Sequence, residues 1–180
     1  MDKIKLYDKT FRPFIPNEQI EKAIDDVAAK MNADFKDSED IPVILCVLNG
    51  AIMFTGSLMK RLTFPAELVS IKLSSYQGTQ STGTVLNILG LTADVRGRRV
   101  IITEDIVDTG NTIIALREML LDKGVKEVRI CTMLMKPDVY KKDVELDYVG
   151  MKIPNEFIVG YGLDYDELGR NNKDIYILDK

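Results

Sequence analysis

Three long apolar runs constrain the fold of this chain more than any other feature. They lie at residues 41–48 (IPVILCVL), 99–104 (RVIITE) and 125–135 (VKEVRICTMLM). Each run is rich in β-branched residues and does not alternate with polar ones, which is the pattern of a strand buried on both faces. Segments with helical spacing of apolar residues lie between these runs. The sequence therefore predicts an α/β fold with a mainly parallel central sheet flanked by helices.

The remaining elements complete this alternation. Helices are predicted at 17–35, with Asn17 as the N-cap, at 51–62 and at 112–124, where Gly124 ends the helix. Further strands are predicted at 67–74 and 84–89, and shorter elements at 147–153, 157–163 and 175–178. The 180 residues contain no internal repeat and no interdomain linker, so a single domain over residues 1–180 is expected.

The composition excludes several kinds of chemistry. The chain has no histidine and only two cysteines, Cys46 and Cys131, both inside apolar runs and expected to be buried in strands. Ser–His–Asp and Cys–His catalysis, His-ligated metals and Cys₄ zinc sites are therefore excluded. Acid–base work falls to Asp, Glu, Lys or Tyr, and any metal should be a hard, oxygen-preferring ion such as Mg²⁺.

Charge and hydropathy limit the partners. A net charge of −4 and a pI near 5.0 argue against a nucleic-acid-binding surface and favour a small-molecule partner. No apolar run approaches the roughly 20 residues of a membrane span, so no membrane association is expected. The lack of a disulfide framework fits a cytoplasmic protein.

An acidic segment marks the candidate site. In VIITEDIVDTGNTI (residues 100–113), Glu104, Asp105 and Asp108 fall within five positions, at the end of a predicted strand and just before a helix. Ligands of parallel α/β sheets bind outside the carboxyl ends of the strands. An ordinary strand–turn–helix with solvated acids is the alternative interpretation of such a pattern.

The residues that follow favour a phosphate. A helix N-terminus offers unpaired backbone N–H groups and partial positive charge, Gly110 permits close approach, and Thr109 and Thr112 can add hydroxyl donors. The carboxylates would repel that phosphate, so they require a cationic or hydroxyl-bearing group a few ångströms away. A ribose diol together with Mg²⁺ meets this requirement.

The segment EDIVDTGNT (104–112) closely resembles the 5-phosphoribosyl-1-pyrophosphate (PRPP) motif of type I phosphoribosyltransferases, in the form found in hypoxanthine–guanine phosphoribosyltransferases. Other motifs follow in family order across residues 8–178. LNGA (48–51) resembles the pyrophosphate loop, and SSYQGTQSTGT (74–84) the catalytic lid. MLMKP (133–137), DYVGMKIP (147–154) and VGYGLDYDELGR (159–170) resemble segments of the hood that bind purine and pyrophosphate.

The resemblance implies a fold and an activity. The type I phosphoribosyltransferase fold would place the core at about 15–135 and a small hood at about 1–14 and 136–180. The implied reaction is Mg²⁺-dependent transfer of the 5-phosphoribosyl group of PRPP to N9 of hypoxanthine, and of guanine, which gives IMP or GMP and pyrophosphate in purine salvage. A homodimer or homotetramer is implied as well.

The resemblance also assigns roles to the acidic segment. Asp108 would exchange a proton with N7 of the purine as the glycosidic bond forms. Glu104 and Asp105 would hold the ribose hydroxyls, directly or through Mg²⁺. The phosphate would be bound mainly by the backbone N–H groups of five consecutive residues: Asp108, Thr109, Gly110, Asn111 and Thr112.

Outside that segment, the resemblance assigns residues to three groups. The pyrophosphate would contact Asn49, Gly50 and Arg170, with Asn49 standing where the family commonly has a basic residue. Ser75 and Tyr76 would belong to the lid. The purine would contact Lys136 at its 6-oxo group, Tyr148 by stacking, the Val149 backbone at the base edge, and Asp164, which would also be a metal ligand with Glu104 and Asp105.

Simpler interpretations exist for individual residues. A lysine at a strand end is commonly a solvated surface residue, and a tyrosine beside a strand is commonly part of the core. At the level of function, a xanthine- or guanine-preferring transferase remains an alternative, as does a non-catalytic PRPP-sensing regulator. Such regulators bind nucleic acid through a basic face, which this acidic chain is not expected to have.

Overall fold

The computed structural model describes residues 2–76, 85–91 and 93–180, without the side chains of 74–76 and 85–89. The predicted lid residues 77–84 lie outside the described residues. The elements in chain order are β1 Ile4–Leu6, β2 Lys9–Ile15, α1 Asn17–Phe35, β3 Val43–Leu48, α2 Ile52–Met59, β4 Glu67–Tyr76, β5 Val85–Leu89, β6 Arg99–Val107, α3 Asn111–Asp122, β7 Glu127–Met135, β8 Tyr148–Lys152, β9 Ile158–Val159 and β10 Ile175–Leu178.

The central sheet has the strand order β5-β4-β3-β6-β7-β8. Neighbours from β4 to β8 pair in parallel, and only β5 is antiparallel to its neighbour. Helices α1 and α2 pack on one face of this sheet, and α3 packs on the other. The predicted α/β fold with a mainly parallel sheet is confirmed.

Burial on both faces explains the unbroken apolar runs. In β3, Ile44 packs in the cluster beneath α1 and α2, and the adjacent Leu45 packs in the cluster beneath α3. In β6, Ile101 and Ile102 divide between the same two clusters. Because neighbouring side chains of a strand point to opposite faces, a strand between two helical layers has no polar positions in its middle.

A second sheet joins the two ends of the chain. Its order is β1-β2-β10-β9, with antiparallel pairing throughout. Strands β1 and β2 were not predicted, because neither shows a long apolar run. Strand β8 lies in the part of the chain expected to form the hood, but it pairs with β7 and extends the central sheet.

The N-cap prediction for Asn17 was wrong, since the N-cap position is Pro16 and Asn17 is the first helical residue. The backbone N–H of Asn17 donates to Oδ1 of Asp174 at 2.7 Å, and Asp174 is buried. The capping carboxylate therefore comes from a residue 157 positions later in the chain. Local sequence could not identify it.

Cys46 and Cys131 are buried and free, as expected for strand cysteines. Among the described helices, none combines the length and the apolar character needed to cross a membrane.

We expect Asp174→Ala to lower the free energy of unfolding by about 1–2 kcal/mol, because it removes an N-terminal cap and its favourable interaction with the helix dipole. Asn17→Ala should cost less, since its half-buried side chain donates to the carbonyl of Lys173 and accepts no helical N–H group among the described residues. Urea unfolding of both variants measures the difference. Equal losses in the two variants would contradict capping by Asp174.

Candidate active site

Strand β6 extends beyond its predicted end. Glu104 and Asp105 still lie within the strand, and only Asp108 follows it, so the predicted acidic turn is shorter than expected. Adjacent strand residues point to opposite faces of a sheet. Glu104 therefore lines a cavity at the start of α3, while Asp105 lies against the loop that follows β3.

The loop between β6 and α3 surrounds a cavity of about 100 Å³. Besides Glu104, its lining consists of the consecutive residues Ile106, Val107, Asp108, Thr109, Gly110, Asn111, Thr112 and Ile113. Gly110 adopts a left-handed conformation with φ of 79°, and a side chain there would overlap the ring of Tyr140. The structure thus brings the predicted phosphate-binding residues around one small cavity at a helix N-terminus, which suits an anion.

The loop after β3 is held between two other segments. A side chain on Gly50 would overlap the carboxylate of Asp105, and one on Gly162 would overlap the carbonyl oxygen of Gly50. The Leu48–Asn49 peptide bond is cis. Three chain segments distant in sequence therefore meet at Gly50.

Arg170 and Asp164 belong to the third of these segments. The Arg170 guanidinium donates to the carbonyl oxygen of Gly162 at 2.8 Å and forms an ion pair of 2.8 Å with Asp164. Asp164 also accepts the backbone N–H of Glu167 at 2.8 Å. The charges of Arg170 and Asp164 act on Asp105, which places this pair beside the acidic strand end.

The two acids of β6 are withdrawn from water at an electrostatic cost, since Glu104 is buried and Asp105 is half-buried. Burial, and then the charge of Asp105, raises the pKa of Glu104 well above its usual value, and Oε2 of Glu104 has no hydrogen-bond partner among the residues that the structure describes. Desolvation raises the pKa of Asp105 to about 6, although the backbone N–H of Ile106 at 2.8 Å and the charge of Arg170 oppose that rise. A cation or a hydroxyl donor would satisfy both carboxylates and the unpartnered oxygen of Glu104.

These donors fit a hard cation that arrives with a ligand. Within the described part of the chain, no group of three or more His, Cys, Asp or Glu side chains is placed to hold a metal ion. Mg²⁺ is usually bound by one or two carboxylates together with phosphate oxygens and water. Glu104 and Asp105 meet the protein's part of that requirement.

Lys136 and Asp108 form an ion pair in which Nζ of Lys136 lies 3.0 Å from Oδ2 of Asp108. Val107 at the end of β6 is in register with Met135 at the end of β7, so the next residue of each strand emerges beside the other. Lys136 is buried, and its ammonium also lies 3.4 Å from Oδ1 of Asn155. Asn155 was not predicted from the sequence, because only the path of the chain after β8 brings it to Lys136.

Tyr148 does not reach this edge of the sheet. It is the first residue of β8 and pairs with Cys131 in the middle of β7, five residues before Lys136, or about 16 Å along the strand. Its ring is buried, and its hydroxyl accepts from Arg129 and donates to Asp34, both at 2.6 Å. The prediction that Tyr148 stacks on a base is wrong.

Its neighbour Val149 pairs with Thr132 in the same part of the ladder, away from the carboxyl ends of the strands. An aromatic ring that sequence reasoning missed is Phe157, which is 44% exposed and lies two residues after Asn155. The available signal in the sequence was an aromatic residue two positions before the VGYG segment. The backbones of Ser75 and Tyr76 lie at the end of β4, and their side chains are outside the described residues.

The family model of the phosphoribosyl transferase domain matches residues 15–166. This stretch contains the central sheet and every segment that forms the site up to Asp164. The chain belongs to the phosphoribosyltransferase family.

Individual relatives show which members of the family this chain resembles. The chain is 40% identical over 160 residues to a hypoxanthine-guanine phosphoribosyltransferase of Staphylococcus epidermidis, with 87% of each chain covered. It is 37% identical over 163 residues to a hypoxanthine phosphoribosyltransferase of Salmonella typhimurium, covering 90% of this chain and 92% of the relative. The crystal structure of a hypoxanthine phosphoribosyltransferase from Staphylococcus aureus superposes with a TM-score of 0.82 at 35% identity, covering 93% of this chain and 91% of the other.

We expect the double variant Glu104→Gln, Asp105→Asn to be more stable than the wild type in the absence of ligands. The raised pKa values mean that the folded state disfavours both charges, so neutral isosteres should raise the free energy of unfolding at pH 7 by roughly 1–3 kcal/mol. Denaturant unfolding measures this change. Glu118→Gln, which neutralises an exposed acid of α3, is the control and should have little effect. A loss of stability in the double variant would show that these carboxylates contribute to the fold.

Proposed function

We propose that this chain is a purine-salvage enzyme that transfers the 5-phosphoribosyl group of PRPP to N9 of hypoxanthine, and of guanine, releasing pyrophosphate and forming IMP or GMP. Membership of the family supports the transferase reaction. The names of its relatives support 6-oxopurines as the acceptors. The finer assignments below are supported by the geometry of the site.

The ion pair of Lys136 and Asp108 is the observation that carries the choice of base. The 6-oxo oxygen and N7 of a purine lie on the same edge, and in adenine an amino group replaces the oxygen. The Lys136 ammonium and the Asp108 carboxylate lie 3.0 Å apart. On that edge of the base, the ammonium can donate to O6 and the carboxylate can accept from N7–H. With adenine, the amino group of the base and the ammonium of Lys136 would be two donors facing each other. Adenine should therefore be rejected.

In the proposed reaction, N9 attacks C1 of the ribose while the bond to pyrophosphate breaks, and Asp108 takes the proton from N7. Lys136 orients the base through O6. The backbone N–H groups from Asp108 to Thr112 hold the 5-phosphate at the α3 N-terminus. Glu104 and Asp105 accept from the ribose hydroxyls and place negative charge near the oxocarbenium-like transition state.

Magnesium fits the same arrangement as a cofactor. Glu104 and Asp105, with Asp164 nearby, are the proposed protein ligands, and the ion would neutralise charge on the departing pyrophosphate. Arg170 and the backbone of Asn49 and Gly50 are proposed to bind the pyrophosphate. Since the Asn49 side chain carries no charge, its contribution there would be through the backbone.

Two further surfaces complete the proposal. Phe157, in place of Tyr148, is proposed to offer an apolar face to the base, because it is exposed and close in sequence to the Lys136 partner Asn155. Ser75 and Tyr76 are proposed to belong to a lid that excludes water during transfer.

We also propose that the chain forms a homodimer or homotetramer, which the exposed apolar residues Ile52 and Met53 support. We propose the cytoplasm as its location, which the two free cysteines support.

The proposal is tested by nucleotide formation from PRPP and Mg²⁺ with hypoxanthine, guanine, xanthine and adenine. We expect turnover with the first two bases and little with adenine. In Lys136→Ala, kcat/KM for hypoxanthine should fall about 10- to 100-fold while PRPP affinity changes little, because a hydrogen bond from a charged donor contributes about 1.5–3 kcal/mol. Lys152→Ala, a change at an exposed lysine of β8, is the matched control.

Other outcomes would select other functions. Preferential turnover of xanthine would make the chain a xanthine phosphoribosyltransferase. PRPP binding without turnover of any base would favour a non-catalytic sensor of PRPP. Unchanged hypoxanthine turnover in Lys136→Ala would show that Lys136 does not contact the 6-oxo group.

We expect Asp108→Asn to slow the chemical step about 10²–10⁴-fold, the usual contribution of general acid–base catalysis. The amide keeps the size of the side chain and the backbone N–H, so affinity for PRPP should change only modestly. A single-turnover experiment separates chemistry from product release, which often limits kcat. Asp138→Asn at an exposed position serves as control, and an unchanged single-turnover rate in Asp108→Asn would remove it from proton transfer.

A further inference from the structure

A strained turn lies shortly before Asp164 and Arg170 of the candidate active site. Gly160, Tyr161 and Gly162 have consecutive positive φ values of 104°, 49° and 99°. Glycine adopts such angles freely, but a bulky aromatic residue does so at a cost and only where its surroundings hold it. Tyr161 therefore raises the question of what compensates for its backbone conformation.

Its side chain is buried and anchored to both helices on one face of the sheet. The hydroxyl of Tyr161 forms hydrogen bonds with Ser57 Oγ of α2 at 2.9 Å and with Glu21 Oε1 of α1 at 3.2 Å. Glu21 is itself held by Arg61 at 2.7 Å. The phenol thus connects the turn to α2, whose first residue is Ile52, two positions after Gly50.

The backbone of the same turn contacts the other half of the site. Gly162 lies so close to the carbonyl oxygen of Gly50 that no side chain would fit, and its own carbonyl accepts from Arg170 at 2.8 Å. The backbone N–H of Gly162 donates to the carbonyl of Arg170 at 3.0 Å. Tyr161 is consequently the side chain that ties the Arg170 segment to the helix that follows the Gly50 loop.

We infer that Tyr161 is a positioning residue that sets the separation between the Gly50 loop and Arg170, and thereby the affinity of the site for pyrophosphate. The inference rests on the proposed function, in which these two groups bind the pyrophosphate of PRPP. Tyr161 touches no reacting atom. It acts by holding a backbone turn in a conformation that the turn would otherwise leave.

The test variant is Tyr161→Phe, which removes the hydroxyl and keeps the ring. We expect the Kd for pyrophosphate, measured by calorimetry in magnesium buffer, to rise about tenfold, since buried hydrogen bonds typically contribute about this factor. The Kd for IMP should change less than twofold. In turnover assays, KM for PRPP should rise while KM for hypoxanthine stays the same.

A double-mutant cycle with Ser57→Ala identifies the contact responsible. Each single variant should weaken pyrophosphate binding, and the double variant should be little worse than Tyr161→Phe alone, because both remove the same link. Tyr165→Phe is the matched control from the same loop, since its hydroxyl bonds to Lys9 and Asp8 of the hood. It should bind pyrophosphate within twofold of the wild type.

Unchanged pyrophosphate affinity in both Tyr161→Phe and Ser57→Ala would overturn the inference and leave the proposed function standing. So would an equal loss of pyrophosphate and IMP affinity, because a merely structural role would weaken every ligand alike. A wild-type protein that binds neither pyrophosphate nor PRPP would instead overturn the proposed function, and the inference with it.

Discussion

The parallel register of β3, β6 and β7 is the constraint on which the site depends. Val107 pairs with Met135, so Asp108 and Lys136 leave their strands side by side and form an ion pair of 3.0 Å. In the ladder between β3 and β6, Cys46 pairs with Thr103, and the loop after β3 then passes over Asp105. A slip of one residue in either pairing would turn the acids of β6 to the wrong faces of the sheet.

The acids at this edge have charges and hydrogen-bonding groups that a bound ligand would satisfy. Glu104 is buried and the adjacent Asp105 is half-buried, and the pKa of each is raised because desolvation disfavours its charge. Oε2 of Glu104 has no partner among the described residues. Unfavourable desolvation of this kind is typical of functional sites, where a bound ligand supplies the hydrogen bonds or the opposite charge that the free protein lacks. The proposed diol and Mg²⁺ of the substrate complex would supply hydroxyl donors and positive charge at this point.

Close backbone packing holds together the part of the site that is proposed to bind pyrophosphate. Gly50 lies between the carboxylate of Asp105 and the backbone of Gly162, and neither glycine leaves space for a side chain. Segments from three parts of the chain can meet there only because both positions are glycine. The proposed role of Tyr161 extends this picture, since the left-handed turn that carries Gly162 is anchored by a phenol hydrogen-bonded to α1 and α2.

The sequence by itself determined the architecture and the position of the site. Unbroken apolar runs such as VILCVL can be satisfied only between two layers of helices, and an acidic segment at a strand end before a helix marks the ligand-binding edge. What it could not determine were contacts between distant residues. Asp174 caps α1, Asn155 lies beside Lys136, and Tyr148 bonds to Asp34 and Arg129, away from the predicted purine site. Motif order records which residues occur near one another in the chain, whereas strand register and side-chain direction decide which of them reach the same point in space.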